Sequence, residues 1–102
     1  MIHVIATIEV HPGTRTAFLA EFKANVPAVL AEDGCHEYVP TLDVTSGLGL
    51  QGPLRTEIVT IVEKWRDLPA LHAHLKAPHM LAYREKVKDY VRSVQLQVLE
   101  PA

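Results

Sequence analysis

Residues 56–79 read TEIVTIVEKWRDLPALHAHLKAPH, and this stretch decides the fold. Its opening segment, Thr56 to Trp65, brings Ile58, Val59, Ile61 and Val62 together, side chains that fit a pleated backbone better than a helix. Asp67 then supplies an N-cap oxygen. Leu68, Leu71 and Leu75 recur at three- and four-residue spacing, which predicts a short helix with the leucines as its buried stripe. Pro78 has no N–H to donate, so it opens a second helix instead of extending the first. Met80, Tyr83, Val87 and Val91 form the stripe of that second helix.

On the N-terminal side, Ile2 to Val10 reads as a strand, with Ile2, Val4, Ala6, Ile8 and Val10 on one face and His3, Ile5, Thr7 and Glu9 on the other. His11-Pro12-Gly13 ends it, and Thr14 is placed to cap the next helix. Phe18, Phe22, Val26, Val29 and Leu30 mark residues 14 to 32 as amphipathic helix, which Pro27 should bend or interrupt near Asn25. Gly34 offers a left-handed stop. Cys35 to Val44 is a second strand, confined to an edge or a bulge by Pro40. Thr45 to Leu54 (TSGLGLQGPL) is a loop, and Ser93 to Leu99 alternates Val94, Leu96 and Val98 with Gln95 and Gln97. The order β-α-β-β-α-β, its second helical region split at Pro78, predicts an α+β ferredoxin-like domain over residues 1–102: one antiparallel sheet with helices on one face.

Two helices can cover only one face of such a four-stranded sheet. Ile58 and Val62 point one way, Val59 and Ile61 the other, and Ile5 opposes the main apolar row of its strand. An apolar face left open on a soluble chain marks an interface, so the expected assembly is a two-fold homodimer packed sheet against sheet, a dimeric α/β barrel.

Composition narrows the partners. The chain has 102 residues, is 48% hydrophobic and 22% charged, and carries a net charge of −2. That balance gives no basic footprint for nucleic acid. No apolar run approaches the roughly 20 residues that span a bilayer. One cysteine, Cys35, excludes an internal disulfide. With no signal-peptide pattern at the N-terminus, the expected location is the cytoplasm. His72 and His74 lie on nearly opposite sides of a helix, and His74 and His79 are five apart across a helix break, so no metal site is expected.

The pattern Glu63-x-Trp65, His74 on the next helix, then Pro78-His79, resembles the antibiotic biosynthesis monooxygenase domain. Pro12-Gly13 after strand one and Glu32-Asp33-Gly34-Cys35 with Tyr38 fit the same family across nearly the whole chain, whereas the 45–54 loop is longer than its usual turn. The resemblance implies a cofactor-free oxygenase of phenols or hydroquinones, with a pocket between sheet and helices. A deprotonated phenol donates electrons to dioxygen readily, so the protein need supply chiefly a base and a dry cavity; histidine suits the base because its ordinary pKa is about 6.5. On that reading His74 is the expected base, Glu63 a second proton carrier, and Trp65, Tyr83, His79, Tyr38 and His36 the substrate-binding residues. An isomerase or a non-catalytic carrier would use the same base and pocket. Haem-degrading relatives use an asparagine on strand one and a histidine further along the last helix, and this chain has neither.

Overall fold

The computed structural model describes residues 1–102. Strand β1 (Ile2–Val10) leads to helix α1 (Arg15–Leu30), then β2 (Cys35–Thr41), β3 (Ile58–Trp65), α2 (Leu68–Lys76), α3 (Pro78–Val87) and β4 (Val91–Leu99). The four strands form one antiparallel sheet in the order β2-β3-β1-β4, the ferredoxin-like arrangement expected from the element order. No helix is long and apolar enough to cross a membrane.

The register sorts the side chains. Val4 faces Glu63 and Val98, and Ala6 faces Ile61 and Leu96, so these alternate residues share the helix-covered side. Val4, Ala6, Ile8, Val10, Val59, Ile61 and Trp65 are buried there beneath Phe18, Phe22 and Val29 of α1 and Met80 and Val87 of α3. The opposite face is more polar than the sequence suggested. Ile5, Val62 and Val39 make one cross-strand apolar row, flanked by Thr7 with Thr60 and by His3 with Lys64.

Several expectations are corrected. Pro27 does not interrupt α1, which runs unbroken to Leu30. Lys23, whose carbonyl loses its partner at Pro27, is exposed and water can serve it. Thr14 precedes the helix without capping it; its hydroxyl donates to the His11 carbonyl at 2.7 Å instead. Leu30 is exposed rather than part of the stripe. On α2 the buried stripe is Ala70, Leu71 and His74, while Leu68 and Leu75 face solvent, a rotation that puts an imidazole where a leucine was expected. β2 ends at Thr41 rather than Val44. β4 begins at Val91, and its Val94, Leu96 and Val98 row stays exposed because the edge strand extends beyond the helical layer.

Gly34 is the one glycine the fold cannot replace. Its φ of +85° lies in the left-handed region. A Cβ built there would sit 2.7 Å from the Ala70 Cβ. Asp33 and Arg66 clamp this turn with paired hydrogen bonds of 2.9 Å, and the Arg66 N–H donates to the Gly34 carbonyl at 2.8 Å. Gly34→Ala should therefore destabilise the protein by about 2 kcal/mol in denaturant melts. Adding Ala70→Gly should recover the steric part of that loss but not the backbone part.

Candidate active site

The C-terminal end of β3 and the second turn of α2 converge on the helix side of the sheet. Glu63 and Trp65 are two apart on β3 and both point to the helix side, where Trp65 is fully buried and Glu63 is 6% exposed. The indole N–H donates to Glu63 Oε1 at 2.9 Å. Asp67 caps α2 by accepting from the Ala70 N–H at 2.9 Å. Seven residues later His74 lies over the indole, ring centres 4.6 Å apart, and is 2% exposed.

Glu32 completes the group. It sits in the turn that Gly34 closes, and its Oε2 lies 2.7 Å from His74 Nδ1. A carboxylate only accepts, so this bond fixes the proton on Nδ1 and leaves the Nε2 lone pair free. Burial lowers the His74 pKa below its ordinary value, an effect that the Glu32 hydrogen bond opposes. The ring is thus held neutral near neutral pH. Glu63 is shifted the other way: burial first, with the charge of Glu32 adding, pushes its carboxyl up to about 7, although the Trp65 hydrogen bond pulls against this.

These two groups border a cavity of about 420 Å³, within the roughly 300–1,000 Å³ span of small-molecule sites. Its walls are largely apolar, with Ile61, Phe22, Tyr38, Met80, Tyr83 and Val87 enclosing the inner part and Val94, Leu96, Arg84 and Lys88 at the exposed rim. The aromatic rings interlock: Phe22 stacks on Tyr38 at 5.2 Å, while Tyr83 meets Phe22 edge-on at 5.8 Å and Tyr38 meets His74 edge-on at 5.4 Å. Burial raises the pKa of both Tyr38 and Tyr83, so their phenols stay neutral.

Four of the seven residues expected at a site from the sequence, His74, Glu63, Tyr38 and Tyr83, line this cavity. The other three do not. Trp65 is not part of the lining; its indole N–H bonds Glu63 and its ring packs against His74. His79 touches the back of the group, Nε2 3.3 Å from Glu32 Oε2 but out of line for a hydrogen bond, and borders a separate small groove with Glu21 and Lys86. His36 is exposed at a register irregularity of β2, which turns it away from the face that Tyr38 occupies. Glu32, Phe22, Arg84 and Lys88 are not among the site residues the sequence predicts. For Glu32 the sequence offers only its place in the Glu32-Asp33-Gly34-Cys35 turn. No cluster of three or more metal-ligating side chains forms anywhere in the chain. Burial and the nearby acids push the Cys35 thiol up to about 11, so it stays protonated and inert.

The antibiotic biosynthesis monooxygenase family model matches residues 1–86. The chain is 40% identical to the Escherichia coli protein named probable quinol monooxygenase YgiN, across 99% of this chain and 98% of the relative. Among solved structures it is similar to Rv0793 of Mycobacterium tuberculosis (29% identity, TM-score 0.80, 99% and 94% of the two chains). It is similar also to PA3566 of Pseudomonas aeruginosa (27% identity, TM-score 0.80, 99% and 93%).

The Glu63 shift links to stability. A carboxyl whose folded pKa is raised favours folding below its unfolded value of about 4.3, and that contribution is lost as pH rises through the folded value. Wild-type protein should lose up to about 3 kcal/mol of unfolding free energy from this group between pH 4.5 and 8. Glu63→Gln, which keeps an acceptor for the indole, should show no such loss in urea melts over the same range.

Proposed function

Because the chain belongs to the antibiotic biosynthesis monooxygenase family, we propose that it is a cofactor-independent monooxygenase of a small phenol or hydroquinone, acting within a homodimer. The observation that carries this reading is the oriented base: His74, its tautomer fixed by Glu32, borders a cavity walled by aromatic rings. Nε2 takes the proton of a substrate hydroxyl, and Glu32 steadies the imidazolium that forms. The resulting phenolate, in a largely apolar cavity, donates electrons to dioxygen.

The balance needs no external reductant. A hydroquinone and dioxygen give a hydroxyquinone and water: one oxygen atom bonds to a ring carbon, the other leaves as water, and the ring supplies all the electrons. Glu63, protonated below about 7, is placed to give a proton to the departing oxygen and to recover one from the ring. Tyr38 and Tyr83, held neutral, donate hydrogen bonds to substrate oxygens. The homodimer rests on the Ile5, Val62 and Val39 row of the open sheet face, which a two-fold copy would cover. The lone thiol of Cys35 and the absence of a bilayer-spanning helix suit a reducing cytoplasm.

Oxygen uptake with a panel of hydroquinones tests the reading. His74→Ala should fall to background while keeping its circular dichroism, and Glu32→Gln should lose on the order of 100-fold in kcat. The pH profile should rise below pH 6.5 as His74 loses its proton and fall near 7 as Glu63 loses its own; Glu63→Gln should remove the alkaline limb. Product formed at an undiminished rate under strict anaerobiosis would transfer the site to isomerase chemistry.

A further inference from the structure

The connection between β2 and β3, residues 42–57, has no helix or strand and is exposed over most of its length. It is nevertheless built. Arg55 grips Asp43 through two side-chain hydrogen bonds of 2.9 and 2.8 Å, and its own N–H donates to the same carboxylate at 3.0 Å. Arg15 ties this stem to the start of α1 by donating to the Arg55 carbonyl at 3.2 Å. At the tip, Gln51 donates to the Val44 carbonyl at 2.9 Å, its N–H reaches the Leu48 carbonyl at 3.1 Å, and Ser46 bonds Gln51. A loop whose polar groups satisfy one another in this way leaves Val44, Leu48, Leu50 and Leu54 outward, and Leu50 is completely exposed. The radius of gyration, 14.1 Å, exceeds the roughly 13 Å of a compact chain this long, as a projecting arm requires.

A second apolar surface lies at the opposite edge of the sheet. Val94, Leu96 and Val98 of β4 are half-exposed on the helix side, and Val94 and Leu96 form the rim of the Glu63–His74 cavity. Within one chain the arm cannot cover them. Strands β3 and β1 stand between the two edges, and Arg15 holds the stem at α1. Monomers rarely expose apolar surface on this scale.

We infer that the arm of one protomer lies across β4 of its partner and closes the mouth of the partner's cavity, so that the complete site needs both copies. This rests on the homodimer proposed above and adds its geometry. If two sheets pack face to face about a dyad along the strands, β2 of one copy meets β4 of the other at the same end. The arm leaves the sheet at Ile58, which pairs with Glu9, one residue before the Val10 that pairs with Val91 of β4. The arm therefore arrives at the end of the partner's β4 where Val91 and Val94 border the cavity. Half of a loop of this length, fully extended, reaches about 25 Å, ample against the roughly 10 Å between packed sheets. A dyad across the strands would instead bring β4 against β4 and leave both arms in water. The occupant of the mouth is thus Leu48 and Leu50 of the second copy, which also shields the base from bulk water.

Cysteine pairing between chains tests this without reference to activity. In a Cys35→Ser background, protein carrying Leu50→Cys is mixed with protein carrying Val94→Cys, exchanged through mild denaturant and oxidised gently. Both positions are exposed, so neither change empties the core. The inference predicts a disulfide joining the two different chains, identified by peptide mass, at about tenfold the rate seen for Leu50→Cys with Leu30→Cys at the far end of α1. A wild-type dimer in sedimentation that gives no excess of the 50–94 product would overturn the arm's placement and leave the dimer standing. A monomer at micromolar concentration would overturn both, and neither result touches the oxygen chemistry of the cavity.

Discussion

The hydrogen bond from His74 Nδ1 to Glu32 sets what the rest of the molecule is arranged to keep. It joins the turn after α1 to the second turn of α2, two segments far apart in the chain, and holds a nearly buried imidazole in one tautomer. Burying an unpaired polar ring costs about 1–3 kcal/mol, so the carboxylate is what permits a histidine on the buried face of α2. Each neighbour serves that contact. Gly34 lets the chain turn close against Ala70, Arg66 fastens the turn through Asp33, and Asp67 fixes where α2 begins. Trp65 lies beneath the ring and spends its one donor on Glu63. The two titratable groups are thereby pushed in opposite directions by the same burial, the imidazole toward neutral and the carboxyl toward protonated.

Much of the architecture could be read from residue order, because period-two and period-3.6 patterns report local geometry. β1, β3, the α2–α3 break at Pro78 and the ferredoxin-like order follow from Ile2–Val10, Ile58–Trp65 and the proline itself. The errors arise where a tertiary contact overrides a local signal. Leucine spacing on α2 places Leu71 correctly but not Leu68 and Leu75, because Ala70 must pass Gly34 closely and that turns the other two outward. Pro27 is a local helix-breaking signal that α1 tolerates because that side of the helix faces water. The site was legible in part for the same reason. Strand alternation put Glu63 on the right face and the family pattern pointed to His74, but nothing in the spacing shows that Glu32 folds back onto that histidine. His36 was misplaced by a register irregularity, which no alternation rule anticipates.

The sheet is asymmetric in a way that bears on assembly. Helices α1 to α3 cover β2, β3 and β1 and stop short of β4, which leaves the cavity walled on three sides and bordered on the fourth by an edge strand. At the other edge the chain invests residues 42–57 in a self-bonded projection with leucines outside. Both are unfavourable for an isolated chain, and the two-fold dimer proposed above would resolve both. In that proposal function and assembly share a cause, since the strand that the helices leave bare is also the rim of the cavity.

The account stands on the protonation state of one ring, and nitrogen-detected NMR of His74 reads it directly. With imidazole nitrogens labelled, a neutral-pH spectrum should show His74 as the Nδ1–H tautomer, with a deshielded Nδ1 proton that vanishes when Glu32 is replaced by alanine. A spectrum showing the proton on Nε2, or a ring switching freely between tautomers with Glu32 in place, would contradict the proposal that this histidine presents a base to the cavity.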